Sequence, residues 1–210
     1  YAALSFHHGH GERALPMLTF ALDYWRAGGM DAAAFKITNI FIHALTTFIL
    51  AFFFRRLLLV AQWSPQHATL GALSLTFIWA IHPLQVSSVL YIVQRMQTMS
   101  TLFIVLALWS YLLMRQDQMA GGRGRRQGVV VVSFWLMALM CKEDAVLFPL
   151  YSLLLELTVL RFKAAQSVVV KGLKHCYTLI IILAVLIYIF VVIPRLGCWN
   201  NICGGRDFNS

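Results

Sequence analysis

Apolar runs long enough to cross a bilayer follow one another along most of this chain, and they limit what it can fold into more than any other feature. A membrane helix needs about 20 apolar residues, with roughly 17–25 tolerated. Asp31, placed as an N-cap after Gly28-Gly29, opens the first run, which continues through Ile37–Phe54 to Arg55-Arg56. We place spans at about 35–57, 67–82, 98–114, 128–141, 145–160 and 175–193. Residues 1–34 then form an outer-face loop carrying an interfacial helix, 35–193 the transmembrane bundle, and 194–210 a second outer-face segment. The runs are solidly apolar and do not alternate as barrel strands do. The expected fold class is therefore an all-α integral membrane protein, with about six transmembrane helices and interfacial helices on the outer face.

Charge placement orients the bundle. Arg55, Arg56, Arg115, Arg123, Arg125, Arg126, Arg161, Lys163, Lys171 and Lys174 fall in connections that alternation puts on one side, against Asp117 and Glu156. The other side holds Arg13, Arg26, Lys36, Arg95, Lys142, Arg195 and Arg206 against Glu12, Asp23, Asp31, Glu143, Asp144 and Asp207. The sides net +8 and +1, together the +9 of the chain. The positive side is expected to be cytoplasmic. Treating Gly128–Leu160 as one span would bury Lys142-Glu143-Asp144 at about 2.5–3.5 kcal/mol each on insertion scales. Two short spans meeting at the outer surface avoid that cost.

Composition agrees: 60% hydrophobic and 12% charged residues, with a mean hydropathy of +0.74, against about 25% charged in soluble domains. The basic residues sit in short loops between apolar runs, which points to membrane orientation and away from nucleic acid. Gly121-Gly122-Arg123-Gly124-Arg125-Arg126 reads as a charged connector, since no strand precedes it and no Gly-Lys-Ser/Thr follows. No Gly-x-Ser-x-Gly and no His-Glu-x-x-His is present, so a soluble-type hydrolase site has no support. The start at Tyr1 without an initiator Met reads as an internal piece of a longer protein.

The unusual polar residues gather on the outer face. After Pro83, Gln85, Ser88, Tyr91 and Arg95 share one side of an expected surface helix. That side either faces water or presents Arg95 to an anion. Met17–Ala27 reads as a second surface helix, with Thr19, Asp23 and Arg26 on one face. Lys142 and Glu143 either pin the turn at the interface or form a site. A lysine there holds a phosphate as a point charge, and the glutamate orients it or a substrate hydroxyl. His7-His8-Gly9-His10 has metal-compatible residue types but no fourth ligand at convincing spacing, so no metal site is assigned. Cys198 and Cys203, both outside in this topology, are expected to form a disulfide in an oxidising compartment. Cys141 and Cys176 are expected to pack as small apolar residues.

The ordered motifs resemble a polytopic glycosyltransferase family. Gly11-Glu12-Arg13-Ala14-Leu15-Pro16-Met17-Leu18-Thr19-Phe20-Ala21-Leu22-Asp23-Tyr24 resembles its "GRPL-x-x-LTFALNY" stretch, with Leu15-Pro16 where the family prefers Pro-Leu. Phe35–His43 resembles its "F-H-x-x-N-x-x-x-H" pattern. His82-Pro83-Leu84-Gln85-Val86 with Tyr91–Met96 resembles "HP-x-x-x-x-x-V-x-x-I-x-x-R", and Cys141-Lys142-Glu143-Asp144 its "(S/C)KE" turn. The family is the GT-C superfamily of multi-spanning glycosyltransferases. Within it, the chain resembles the bacterial relatives of the transmembrane, tetratricopeptide-containing protein O-mannosyltransferases. The resemblance covers most of Gly11–Leu160.

It implies transfer of a sugar from a polyprenyl-phosphate donor to a protein hydroxyl on the periplasmic or luminal face, the bacterial inner membrane being the expected location. Membrane lipid, a lipid-linked sugar donor and a protein acceptor are the implied partners; a divalent metal is neither required nor excluded. Arg13, His82, Arg95, Lys142 and Glu143 would line the site, the cations holding the departing lipid phosphate. The family's acidic base follows a helix that would precede Tyr1, so no catalytic residue is assigned on this chain, and its helical repeats would lie beyond Ser210. A transporter or a non-catalytic assembly subunit is the alternative. A transporter would favour charged or Gly/Pro-broken helices at the midplane and an internal repeat, and the sequence has neither.

Overall fold

The computed structural model describes residues 13–187 and 189–190. The expected disulfide of Cys198 and Cys203 and the His7–His10 group lie outside the described residues. Every regular element among the described residues is a helix: α1 Ala14–Ala27, α2 Ala32–Val60, α3 Pro65–Ala80, α4 Pro83–Leu90, α5 Arg95–Met119, α6 Arg125–Leu139, α7 Phe148–Leu155 and α8 Ser167–Ile187. Short 3-10 turns at Ile92–Gln94 and Glu143–Leu147 and a π-turn at Glu156–Leu160 interrupt the series.

Local chemistry sets the helix ends. Gly28, at φ 71°, closes α1 in the left-handed conformation that glycine adopts without a Cβ penalty. The Asp31 carboxylate accepts the Ala33 N–H at 2.9 Å and caps α2. Ser64 caps α3, with Pro65 at the first helical position.

The chain divides into two units, 1–165 and 166–210. In the first, α5 packs against α2 and α6, and α3 packs against α2. Lipid gives helices no hydrophobic drive to associate, so such bundles rely on small residues that let backbones approach. Ala68, Ala72 and Thr76 form a buried stripe on α3, and a Cβ on Gly71 would lie 3.1 Å from Leu58 Cδ1 of α2. Ala107 and Ala138 are fully buried on α5 and α6. Leu50, Phe53, Val105, Tyr111, Leu112, Val131, Phe148 and Leu160 complete the main core. In the second unit α8 is apolar and largely exposed, as a lipid-facing helix is.

Three helical stretches are long and apolar enough to cross a bilayer: Ala32–Val60, Ile92–Met119 and Ser167–Leu186. The pair α3–α4, bent by 59°, makes a fourth if it is one broken span. Six were expected. α6 has 15 residues, about 22 Å at roughly 1.5 Å per residue, against a hydrocarbon core of about 30 Å. The 143–160 stretch is divided among a 3-10 turn, α7 and the π-turn.

Two further expectations are corrected. The surface helix after Pro83 does not continue to Arg95; it ends at Leu90, and Arg95 instead begins α5. Arg115 is not a loop residue: α5 runs on to Met119, and Arg115 is fully buried against Glu156.

Candidate functional site

Two polar centres form at the end of the bundle where α5 begins. The first is built around Arg95, whose side chain is fully buried. Nε donates to Asn39 Oδ1 at 2.8 Å and Nη2 to the Phe35 carbonyl at 2.8 Å. Nη1 reaches Thr19 Oγ1 at 3.4 Å. Asp23 Oδ2 lies 2.7 Å from Nη2, a close charge contact without aligned hydrogen-bond geometry. The Phe20 ring sits under the guanidinium, 4.4 Å from its carbon, adding a cation–π contact. Asp23 is itself buried and accepts the Thr38 hydroxyl at 2.9 Å. Arg26 stands 3.3 Å from its Oδ1.

The break between α4 and α5 explains Asn39. A helix end leaves backbone carbonyls without partners, which is costly away from water. Asn39 donates its amide to the Val89 and Tyr91 carbonyls, both at 3.3 Å, while its oxygen holds Arg95. One buried side chain thereby ties α2, the broken turn and α5 together.

The second centre is open to solvent. Arg13 Nη2 lies 3.2 Å from Glu143 Oε1, and Arg13 Nη1 contacts Met96 Sδ at 3.4 Å. Lys142 Nζ donates to Gln97 Oε1 at 2.6 Å and pairs with Asp144 Oδ2 at 2.9 Å. Glu143 is held ionised below its ordinary range by its own backbone N–H first and by Arg13 after it. Arg13 and Lys142 against Glu143 and Asp144 give +2 − 2 = 0, so the cluster is balanced and its cations are already paired.

A groove of about 330 Å³ descends from this cluster. Gln97 and Asp144 stand at its mouth; Thr101, Ile104 and Leu108 of α5 line one wall, Leu147 and Tyr151 the other. Helical spacing aligns the α5 residues on one face. The groove is thus polar at the outer end, where Lys142 holds both mouth residues, and mostly apolar below.

The structure therefore brings Arg13, Lys142 and Glu143 to one end, around Met96 and Gln97. It does not put Arg95 beside Lys142 on a shared open surface: residues 95 and 97 are neighbours in sequence, but the Arg95 guanidinium turns inward to Asp23. His82 caps α4 through Nδ1, which accepts the Leu84 N–H at 3.3 Å, and makes no bond to the other four. Asn39, Gln97, Asp23 and the Arg115–Glu156 pair carry roles that residue type alone did not assign. For Asn39 and Glu156 the signal was available, since each is a polar residue inside an apolar run.

No family model matches the chain, and no solved structure matches it significantly. The protein O-mannosyl-transferase TMTC4 of Mus musculus is 25% identical over 173 residues, 76% of this chain and 21% of that protein. Its Homo sapiens counterpart, of the same name, is 25% identical over 167 residues, with the same coverage. The protein O-mannosyl-transferase Tmtc1 of Drosophila melanogaster is 31% identical over 140 residues, 65% of this chain and 14% of that protein. The chain spans about a fifth or less of the length of these relatives. Over 65–76% of its own length, this chain is similar to proteins named protein O-mannosyl-transferases.

Proposed function

We propose that the chain is the donor-binding part of a membrane glycosyltransferase that moves a sugar from a polyprenyl-phosphate carrier to a protein hydroxyl. The observation that carries this reading is the groove below Lys142, taken with the names of the relatives. A polyprenyl-phosphate sugar has an apolar tail and an anionic head at the membrane surface. The apolar walls at Ile104, Leu108 and Leu147 suit the tail, and Lys142, only partly exposed, suits the phosphate as a compact, reorientable charge. Its present partners, Gln97 and Asp144, hold it in place until a stronger anion arrives.

Arg13 stands next to the same mouth, paired with Glu143. An arriving phosphate competes for the guanidinium and frees the glutamate to orient a substrate hydroxyl through a hydrogen bond. Charge on the departing phosphate is stabilised most by cations already in position. Arg95 acts here as a positioning residue, fixing the start of α5 and with it Gln97. The reacting face is the one opposite the basic loops.

The donor class is tested with the full-length protein in proteoliposomes, using an acceptor protein and two radiolabelled donors. Transfer from a polyprenyl-phosphate sugar, with none from the corresponding nucleotide sugar, is expected. Equal transfer from the nucleotide sugar would overturn the donor assignment and leave the homology alone.

A further inference from the structure

At the other end of α5 a larger groove of about 610 Å³ is lined by Phe52, Trp109, Val159 and Leu160 below and by Arg55, Arg56 and Lys163 at its rim. No carboxylate pairs with these three cations among the described residues. Arg55 Nε donates to Thr69 at 3.1 Å and Arg56 Nε to Gln116 Oε1 at 2.7 Å. Those neutral partners aim the guanidinium groups without neutralising them. Glu156, in the same π-turn as Val159 and Leu160, is fully buried and already paired with Arg115.

The segment that supplies Lys163 is held in an uncommon backbone. Glu156–Leu160 is a π-turn, a form that recurs at functional sites. Arg161 and Phe162 follow in the left-handed region at φ 51° and 55°, which non-glycine residues seldom enter. The buried pair fixes it: Glu156 Oε2 accepts the Phe162 N–H at 3.1 Å, and Arg115 Nη2 donates to the Lys163 carbonyl at 2.8 Å. Val159, Leu160 and Lys163 are thereby set against the end of α2.

We propose that this groove binds the phosphate headgroup of an anionic membrane glycerophospholipid, with the upper part of an acyl chain on its aromatic and aliphatic floor. The choice of a lipid follows from charge and depth. Arg55 and Arg56 stand in the last two turns of α2, which ends at Val60, so the rim lies where headgroups lie. Basic pockets between membrane helices at the positively charged side suit anionic headgroups. The site is separate from the Lys142 groove: Gln97 and Gln116 stand about 28 Å apart along α5 at roughly 1.5 Å per residue. It does not depend on the proposed transferase activity.

Full-length protein in a neutral detergent, titrated with dioleoylphosphatidylglycerol and followed by native mass spectrometry, tests the site. Retention of at least tenfold more phosphatidylglycerol than phosphatidylcholine is expected, with inorganic phosphate at matched concentration a poor competitor. Arg55→Gln, Arg56→Gln and Lys163→Gln combined should remove that preference. Arg123→Gln with Arg126→Gln, which lowers net charge elsewhere, should keep it. Lys163→Gln alone, which leaves the Thr69 and Gln116 contacts intact, should lower it about threefold and serves if the triple variant does not fold. Equal retention of the two lipids would overturn the proposal. So would an unchanged preference in the Lys163→Gln variant, an equal loss in the control, or displacement by phosphate or an oligoglutamate peptide as effective as by lipid.

Discussion

Arg95 shows how far residue type alone can be taken. Its place in the sequence beside Gln97 and its basic charge make it a natural phosphate ligand, and nothing local says that the side chain turns inward. What turns it is tertiary: Asp23 from α1, Asn39 and Phe35 from α2, and a phenylalanine face beneath. The sequence did put Thr19, Asp23 and Arg26 on one helix face, and that face proves to be the one that receives Arg95. The two roles for Arg95 predict different outcomes. Removing one partner of a buried ion pair costs about 3–5 kcal/mol, because a charge is left uncompensated. Arg95→Ala should therefore lower the thermal midpoint and the folded yield strongly, and Asp23→Leu in the same chain should recover much of the loss. A phosphate ligand would instead lose transfer with unchanged stability. A thermal unfolding cycle over the two single variants and the double variant decides between them.

Helix starts and stops were legible because they rest on local chemistry: Asp31, Gly28 and the break around Lys142 all lie where capping and charge place them. The α4–α5 break and the π-turn were not legible. Both leave backbone groups that are satisfied by side chains distant in sequence, Asn39 in the first case and Arg115 in the second. The small-residue stripe of α3 is likewise visible as spacing but acquires meaning only against α2. Ala72→Leu should wedge these helices apart. Overpacking typically costs about 1–3 kcal/mol, so a lower unfolding midpoint is expected, whereas Leu70→Ala on the exposed side should leave it nearly unchanged. Equal effects of the two substitutions would argue against close α2–α3 packing.

For the whole molecule, burial of Arg115 and Glu156 leaves the orientation argument intact. The basic side loses one charge of each sign, 10 − 1 = 9 positives against 2 − 1 = 1 acid, so its net remains +8. The Arg123–Arg126 connection should thus be cytoplasmic and the α1–α2 turn outside. In sealed cells, Arg123→Cys should resist an impermeant thiol reagent and Met30→Cys should react. Reversed labelling would invert the topology, and with it the face proposed for transfer. The expectation of six spans came from counting apolar residues, and apolar residues can also form helices too short to span alone.

Sugar transfer by the full-length protein, with Lys142→Ala set beside Arg123→Gln, tests the account most directly. A charge-assisted contact is worth about 1.5–3 kcal/mol, and about 1.4 kcal/mol is tenfold in rate. Lys142→Ala should therefore slow transfer from a polyprenyl-phosphate donor by about ten- to a few hundred-fold, with insertion and thermal midpoint unchanged. Arg123→Gln, on the opposite side, should transfer at the parent rate. Transfer by the Lys142→Ala protein at that same rate would contradict the assignment of the donor phosphate to this groove.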